Sequence, residues 1–253
     1  MLIASLMDDH ELAGYLAELA GAELLNFRQE GIRAGTNSWV LRDKGDLISH
    51  NLLIEQLSRY RPQDAILSEE GSDDHKRLDA DRIWIIDPLD GSQDYPYNGS
   101  DEWAVHVALI EDGELKAGAV SCPSLNRHYS TAMRYPSERQ IREERIVISN
   151  RWNAYQAAYV AEAIGARLAS CGSAGIKTAL VIGEDADVYI HNSGLYEWDV
   201  CAPVAVARAA GLSACQLDGS DFKFNKKAPI ARGLVICHSE LLDDVLNALN
   251  SGR

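Results

Sequence analysis

The hydrophobic positions follow two rhythms, and the change from one to the other divides the chain. After a capping box at Asp8-x-x-Glu11, Leu12, Leu16, Leu19, Leu24 and Phe27 recur at helical spacing and predict one helix to about Arg28. Residues 29–45 hold Gly31, Gly35 and Gly45 and predict a loop or hairpin. Ile48, Leu52, Leu53 and Leu57 predict a second helix that stops before Pro62. Asp46 lies just ahead of it, where an acid is ordinarily an N-cap. Residues 65–67 read as a short strand running into Ser68-Glu69-Glu70. Residues 82–86 are apolar and β-branched enough for a central strand, and Pro88 should end its pairing. Residues 103–110, 115–121 and 127–133 alternate as three strands of a meander, the first two joined by a turn at Asp112-Gly113.

From residue 145 the rhythm becomes α/β. It predicts strands at 145–149, 167–170 and 187–191, with helices near 153–164, 176–182 and 200–210. Strands near 213–217 and 234–237 and a helix over 241–249 complete it. Pro136 and the charge-dense run Glu138 to Glu144 mark the junction. The expected division is an α+β domain over residues 1–138 and an α/β domain over 139–253.

Charge narrows the partners. A formal net charge of −14 argues against a nucleic-acid polymer or an anionic membrane surface, and means that a phosphorylated substrate would need cations to bind. No apolar run reaches bilayer-spanning length. Residues 1–7 lack a basic segment and turn acidic at Asp8-Asp9, so no signal peptide is expected. The five cysteines (Cys122, Cys171, Cys201, Cys215, Cys237) are scattered, which predicts reduced thiols and a cytoplasmic setting. His106, His128 and His191 lack metal-ligand spacing and read as packed histidines. Base rates make a homodimer plausible.

The candidate chemistry centres on Asp87-Pro88-Leu89-Asp90-Gly91-Ser92. Two carboxylates leave a strand end together, and Gly91 lets backbone approach a ligand. This is either an acidic turn or a pair that repels until a cation such as Mg²⁺ joins it. Glu69 ends another strand, and ligands gather at such ends in open α/β sheets. Asp199, in Trp198-Asp199-x-x-Ala202-Pro203, adds an acid at a helix N-terminus.

In order and spacing, Ser68-Glu69-Glu70, Trp84 to Ser92, and Trp198-Asp199-x-x-Ala202-Pro203 resemble the inositol monophosphatase superfamily, the metal-dependent, lithium-sensitive sugar and nucleotide phosphatases. The resemblance covers nearly the whole chain. It implies a layered αβαβα sandwich, α+β in its first half and α/β in its second. It also implies two or three Mg²⁺ ions. Glu69, Asp87 and the Leu89 carbonyl would hold one, and Asp87, Asp90 and Asp199 a second. Asp46 and Ser92 would position the attacking water, with Glu69 a third catalytic residue, which revises the N-cap reading of Asp46. Thr is more usual at the Ser92 position, but the hydroxyl is kept. Two cations about 3.5–4 Å apart suit in-line phosphoester hydrolysis. The N–H groups after Gly91, at the start of a short helix, would hold phosphate oxygens.

Within the superfamily the chain looks most like the CysQ branch, the 3′(2′),5′-bisphosphate nucleotidases. The implied reaction removes the 3′-phosphate of adenosine 3′,5′-bisphosphate, or of its sulfated form, in sulfur assimilation. Inositol 1-phosphate and fructose 1,6-bisphosphate are alternative substrates, and a non-catalytic nucleotide-binding regulator is the remote alternative. Gly172-Ser173-Ala174-Gly175-Ile176-Lys177 resembles the branch's glycine-serine turn and lysine, and Tyr196-Glu197-Trp198-Asp199 supports the same match. The implied substrate contacts are Glu69, Leu89, Asp90, Gly91, Ser92, Ser173, Lys177 and Asp199. Lys177 would face the second phosphate or, equally, solvent. Ser149 joins them from a segment, Val147 to Arg151, that keeps only part of the branch's pattern.

Overall fold

The computed structural model describes residues 7–136, 143–192 and 194–251. In order, the elements of the first half are α1 (Asp9–Arg33), α2 (Ser38–Tyr60), β1 (Ala65–Ser68), β2 (Arg82–Asp90), β3 (Ala104–Glu111), β4 (Glu114–Cys122) and β5 (Arg127–Ser130). The second half adds β6 (Ile146–Ser149), α3 (Tyr155–Ala163), β7 (Arg167–Ser170), α4 (Ala174–Ile182), β8 (Val188–His191), β9 (Leu195–Tyr196) and α5 (Glu197–Ala209). It ends with β10 (Ser213–Cys215), β11 (Ile230–Ala231), β12 (Leu234–Cys237) and α6 (Leu242–Ser251).

Two five-stranded sheets, ordered β1-β2-β3-β4-β5 and β10-β12-β8-β6-β7, are separated and flanked by helices. Period-two alternation explains the layering. Trp84 and Ile86 of β2 pack with Leu12, Leu16, Leu53 and Leu57 of α1 and α2. Ile83 and Ile85 point the other way, into a core shared with Ile176 and Val181 of α4, Val200 and Val204 of α5, and Ile148 and Tyr189 of the second sheet. The far face of that sheet, Val147, Val188 and Val235, packs on Val160 of α3 and Val245 of α6. The result is αβαβα. The central layer belongs to both sheets, so the two halves share a core. The charged junction falls largely on residues 137–142, outside the described residues, as do residues 1–6 of the N-terminal segment. No described helix is long and apolar enough to cross a membrane. All five cysteines are buried and unpaired.

The first expectation to fail is the loop at 29–45. α1 runs on to Arg33, and Asn37 caps α2 by accepting from the Trp39 N–H at 2.9 Å. Two of the three glycines there are contacts, not turns. A Cβ on Gly31 would meet Leu41 Cδ2 at 2.2 Å, and one on Gly45 would meet Tyr95 Cε1 at 2.8 Å. Only Gly35 turns the chain, at φ +69°. Asp46 therefore lies inside α2 and caps nothing. The second correction is at Pro88: pairing with β3 continues past it to Asp90, across a bulge between Asp87 and Asp90.

Candidate metal and phosphate site

That bulge builds the site. Asp87 pairs with His106, and Asp90, three residues on, pairs with Ala104, two residues back along β3. One extra residue on β2 reverses the alternation, so Asp90 turns to the same face as Asp87 instead of into the α1–α2 core. Pro88 has no N–H to lose there. Its carbonyl accepts from the hydroxyl of Ser49 at 2.7 Å, and Asp87 Oδ1 accepts from the Leu89 N–H at 3.1 Å. α5 delivers Asp199 to this face in its first turn, where Asp199 Oδ2 accepts from the Tyr196 N–H at 2.7 Å. The helix thus begins at Glu197, earlier than its apolar pattern suggests. One oxygen each of Asp87, Asp90 and Asp199 lies within 4.8 Å of the others. Asp87 is 1% exposed and Asp90 8%.

The three acids differ in environment. Asp87 is pushed well above the usual carboxylate range by burial, then by the charges of Glu69, Asp90 and Asp199. Asp199 is raised to about 7 by burial and by Asp90. Asp90 goes the other way. Burial alone would raise it, but the charge and hydrogen bond of His106 prevail, helped by Ser173 and Lys177, and hold it well below its ordinary value. It accepts from the Ser173 hydroxyl, from the Gly175 N–H at 2.7 Å and from the Ala174 N–H at 3.2 Å. It therefore occupies the N-terminus of α4, where partial positive charge favours an anion. Burial would lower the pKa of His106, but Asp90 raises it. Its Nε2 is 3.2 Å from Asp90, and its Nδ1 is 3.1 Å from the Trp198 carbonyl. The Nδ1 hydrogen bond to the Trp198 carbonyl and the charge contact of Nε2 with Asp90 both favour the imidazolium.

Glu69 follows β1 and opens to solvent at the mouth, yet desolvation is the main cause of its raised pKa; its carboxyl is within hydrogen-bonding reach of Asp87. Asp46 faces the same mouth. It precedes Ser49, which holds Pro88, and His50, whose Nδ1 is 2.8 Å from the Ser68 hydroxyl; residues three and four apart share a helix face. Burial, then the charges of Glu70 and Glu69, push Asp46 up to about 7. Gly91 has φ +82°, and a Cβ there would stand 2.3 Å from the Glu102 carbonyl, so only glycine fits. Beyond it the chain passes through a run of turns, with the Asp94 and Tyr95 N–H groups bonded back to the Gly91 carbonyl, instead of the short helix expected.

Several expected contacts do not reach this mouth. Ser149 is fully buried, its hydroxyl donated to the Ile190 carbonyl at 2.7 Å. Lys177 is fully buried too. Its ammonium donates to the carbonyls of Cys171 (3.1 Å) and Gly172, and lies 5.2 Å from the Tyr189 ring centroid. It does not face solvent, and the carbonyls of the loop around Gly172 take up its ammonium. Ser173 is 1% exposed and holds Asp90 while capping α4 through the Ile176 N–H. Glu197 is buried against the N–H groups of Asn225 and Lys226, at 2.7 and 3.1 Å.

Two supports were not anticipated. His106, expected as a packed histidine and found as one, is the first, because its contact with Asp90 had no sequence signal. The other is Arg28, buried on α1, which donates to the carbonyls of Tyr95, Tyr97 and Ser100 and so fastens the loop after Gly91. A lone arginine in an apolar helix stripe was its signal.

A cavity of about 280 Å³ opens beside Asp90, Gly91 and Ser92, with Asp94, Arg151 and Trp152 on its far wall. A larger one of about 580 Å³, between α1 and β5, contains none of these acids. Three convergent carboxylates, two of which burial and mutual repulsion make harder to ionise, form a set that a hard divalent cation would relieve.

The match to known proteins agrees with this geometry. The inositol monophosphatase family matches residues 42–251. A 3′-phosphoadenosine 5′-phosphate phosphatase of Mycobacterium leprae is 34% identical over 256 residues, covering 96% of this chain and 94% of its own. The protein of that name in Mycobacterium bovis is 36% identical over 239 residues, covering 91% and 89%. The solved structure of CysQ from Bacteroides thetaiotaomicron superposes with a TM-score of 0.73 at 23% identity, over 90% of this chain and 96% of that one. The family match runs from α2 to α6 and the mycobacterial relatives cover most of the chain, so the chain belongs to the inositol monophosphatase family.

Proposed function

We propose that this protein is a Mg²⁺-dependent phosphatase that removes the 3′-phosphate from adenosine 3′,5′-bisphosphate, leaving AMP. The convergence of Asp87, Asp90 and Asp199 carries the reading of the site. The substrate rests on the names and identity of the mycobacterial relatives. Asp87, Asp90 and Asp199 would hold one ion, and Asp87 with Glu69 and the Leu89 carbonyl another. Bound Mg²⁺ would neutralise the phosphate dianion and stabilise the charge that develops on the leaving oxygen.

This chain's residues have the remaining work. Asp46 and Ser92 hold a water in line with the scissile bond. A carboxyl raised to about 7 retains enough basicity to accept that water's proton as its oxygen bonds to phosphorus. The P–O bond to the ribose breaks, the departing oxygen takes up a proton from solvent water, and Asp46 returns the proton it accepted to solvent. The turn after Gly91 brings backbone N–H groups to the phosphate oxygens. Buried reduced thiols are in keeping with a cytoplasmic setting. The sulfated nucleotide would be a second substrate.

The test is phosphate release from adenosine 3′,5′-bisphosphate, its sulfated form, inositol 1-phosphate and fructose 1,6-bisphosphate, with Mg²⁺ or with a chelator. Mg²⁺-dependent release, fastest from the first, is expected. No release from it overturns the substrate; release undiminished by chelation overturns the ion.

A further inference from the structure

Two of the expected ion ligands lie where the sheet itself does not hold them. Glu69 follows β1, an edge strand of four residues whose last pair with β2 is Ser68 with Ile86. Its N–H reaches the Ile86 carbonyl at 3.3 Å, and beyond that the side chain stands at the exposed mouth. The Leu89 carbonyl lies inside the bulge, at a position that the β2–β3 register skips. Ligands that no ladder fixes need another support, because affinity falls when the groups that orient a metal ligand are removed.

α2 meets both places. Gly45 lets the helix come down on Leu89, since a Cβ there would stand 3.2 Å from Leu89 Cδ2. One turn on, the fully buried Ser49 donates its hydroxyl to the Pro88 carbonyl at 2.7 Å. His50, the next residue, is turned by about 100° around the helix axis and reaches β1 instead. Its Nδ1 lies 2.8 Å from the hydroxyl of Ser68, which is 5% exposed and directly precedes Glu69. Asp90 and Asp199 have other supports, in the Gly175 N–H of α4 and the Tyr196 N–H ahead of α5.

On the phosphatase reading above, we propose that Ser49 and His50 are positioning residues for the ion of Glu69, Asp87 and the Leu89 carbonyl. That ion can be lost while the ion of Asp87, Asp90 and Asp199 stays. α2 acts as a bracket across the ends of β1 and β2, setting how far Glu69 stands from the Leu89 carbonyl. Asp46 lies on the same helix, four residues before His50, so the bracket also keeps the water-holding acid in step with Glu69.

The experiment counts bound Mn²⁺, which shares the oxygen preference of Mg²⁺, in the full chain without substrate, from the electron paramagnetic resonance of the free ion. Wild type should bind at least two ions. Ser49→Ala and His50→Leu should each weaken one of them about tenfold and leave the rest unchanged, as for other groups that orient a metal ligand. His50→Asn, which keeps a polar atom near the place of Nδ1, should restore the lost affinity. Asp199→Asn should weaken a different ion, so that combining it with His50→Leu affects two. Equal weakening of every ion, no weakening, or a His50→Asn protein no better than His50→Leu overturns the proposal. If His50→Leu does not fold, Ser49→Ala decides among these outcomes. Wild type that binds a single ion overturns the separate site and leaves the phosphatase reading standing. Wild type that binds none overturns the proposal, and the phosphatase reading with it if no phosphate is released in Mg²⁺.

Discussion

The Nε2 atom of His106 lies 3.2 Å from Oδ2 of Asp90, with both side chains buried in the central layer. Together with the α4 N-terminus this contact lowers the pKa of Asp90 in a place where burial alone would raise it. His106→Gln should therefore leave the fold intact and loosen the acid that anchors an ion. The expected outcome is about a tenfold rise in the Mg²⁺ concentration for half-maximal phosphate release, as for other groups that orient a metal ligand. An unchanged Mg²⁺ titration would show that α4 suffices.

Asp90→Asn and Asp199→Asn should each remove nearly all activity, about a hundredfold or more, because each withdraws a charge from the ion site. Circular dichroism should show native secondary structure in both. Turnover near that of wild type in either variant would dissociate these acids from the chemistry.

The same acids should make the metal-free protein pH-sensitive. Asp199 is raised to about 7 when folded. An acid raised by folding favours the native state at pH below its unfolded value, and that contribution is lost as pH rises through the folded value. With chelator present, Asp199→Asn should thus be more stable than wild type. Its advantage in melting temperature should grow from about pH 4 to pH 7 and then level off. Mg²⁺ should raise the melting temperature of wild type and shrink that gap. A constant gap across the range would contradict the shift.

Lys177→Met tests the part played by the buried ammonium. With its ammonium on the Cys171 and Gly172 carbonyls, its loss should lower the melting temperature and reduce kcat for mono- and bisphosphate nucleotides by the same factor. A selective loss of the bisphosphate would return Lys177 to the second phosphate.

Gly91→Ala should be the most damaging small substitution in the motif. Its left-handed backbone and the Glu102 carbonyl behind it leave no place for a methyl group. A cost of about 2–4 kcal/mol is expected, measured by urea unfolding with and without Mg²⁺.

Much of this was legible from residue order. The alternation from Arg82 to Ile86, the meander and the α/β pattern predict the strands and their layers, because both faces of each central strand are covered by apolar side chains. Glu69, Asp87, Asp90 and Asp199 stood out because they lie near strand and helix ends, whereas Asp46, inside α2, was marked only by the family resemblance. Two kinds of feature were not legible. Gly31 and Gly45 mimic turn residues, and only Leu41 and Tyr95, which pack on them, reveal α2's true start. Ser149, Ser173 and Lys177 are residue types that bind phosphate elsewhere, and a chain read in one dimension cannot show that Ile190, Asp90 and Gly172 have already engaged them. The bulge at Pro88 belongs with these. A proline in a strand signals interruption, and it takes the partner strand to show that the interruption is one residue long.

The hold of α4 on Asp90 also bears on the order in which the protein is made. The Gly175 N–H that steadies this acid lies 85 positions further along the chain, and Asp199 comes later still. The first sheet can be fully synthesised while its two aspartates still lack the helix and the third acid that complete the ion site. On the metal-site reading a nascent chain would therefore carry an unfinished trap, and divalent ions would be held only after the second half has emerged and docked. Cation uptake would then report completion of the polypeptide: ribosome-bound chains ending before α5 should retain magnesium no better than an unfolded segment of equal charge.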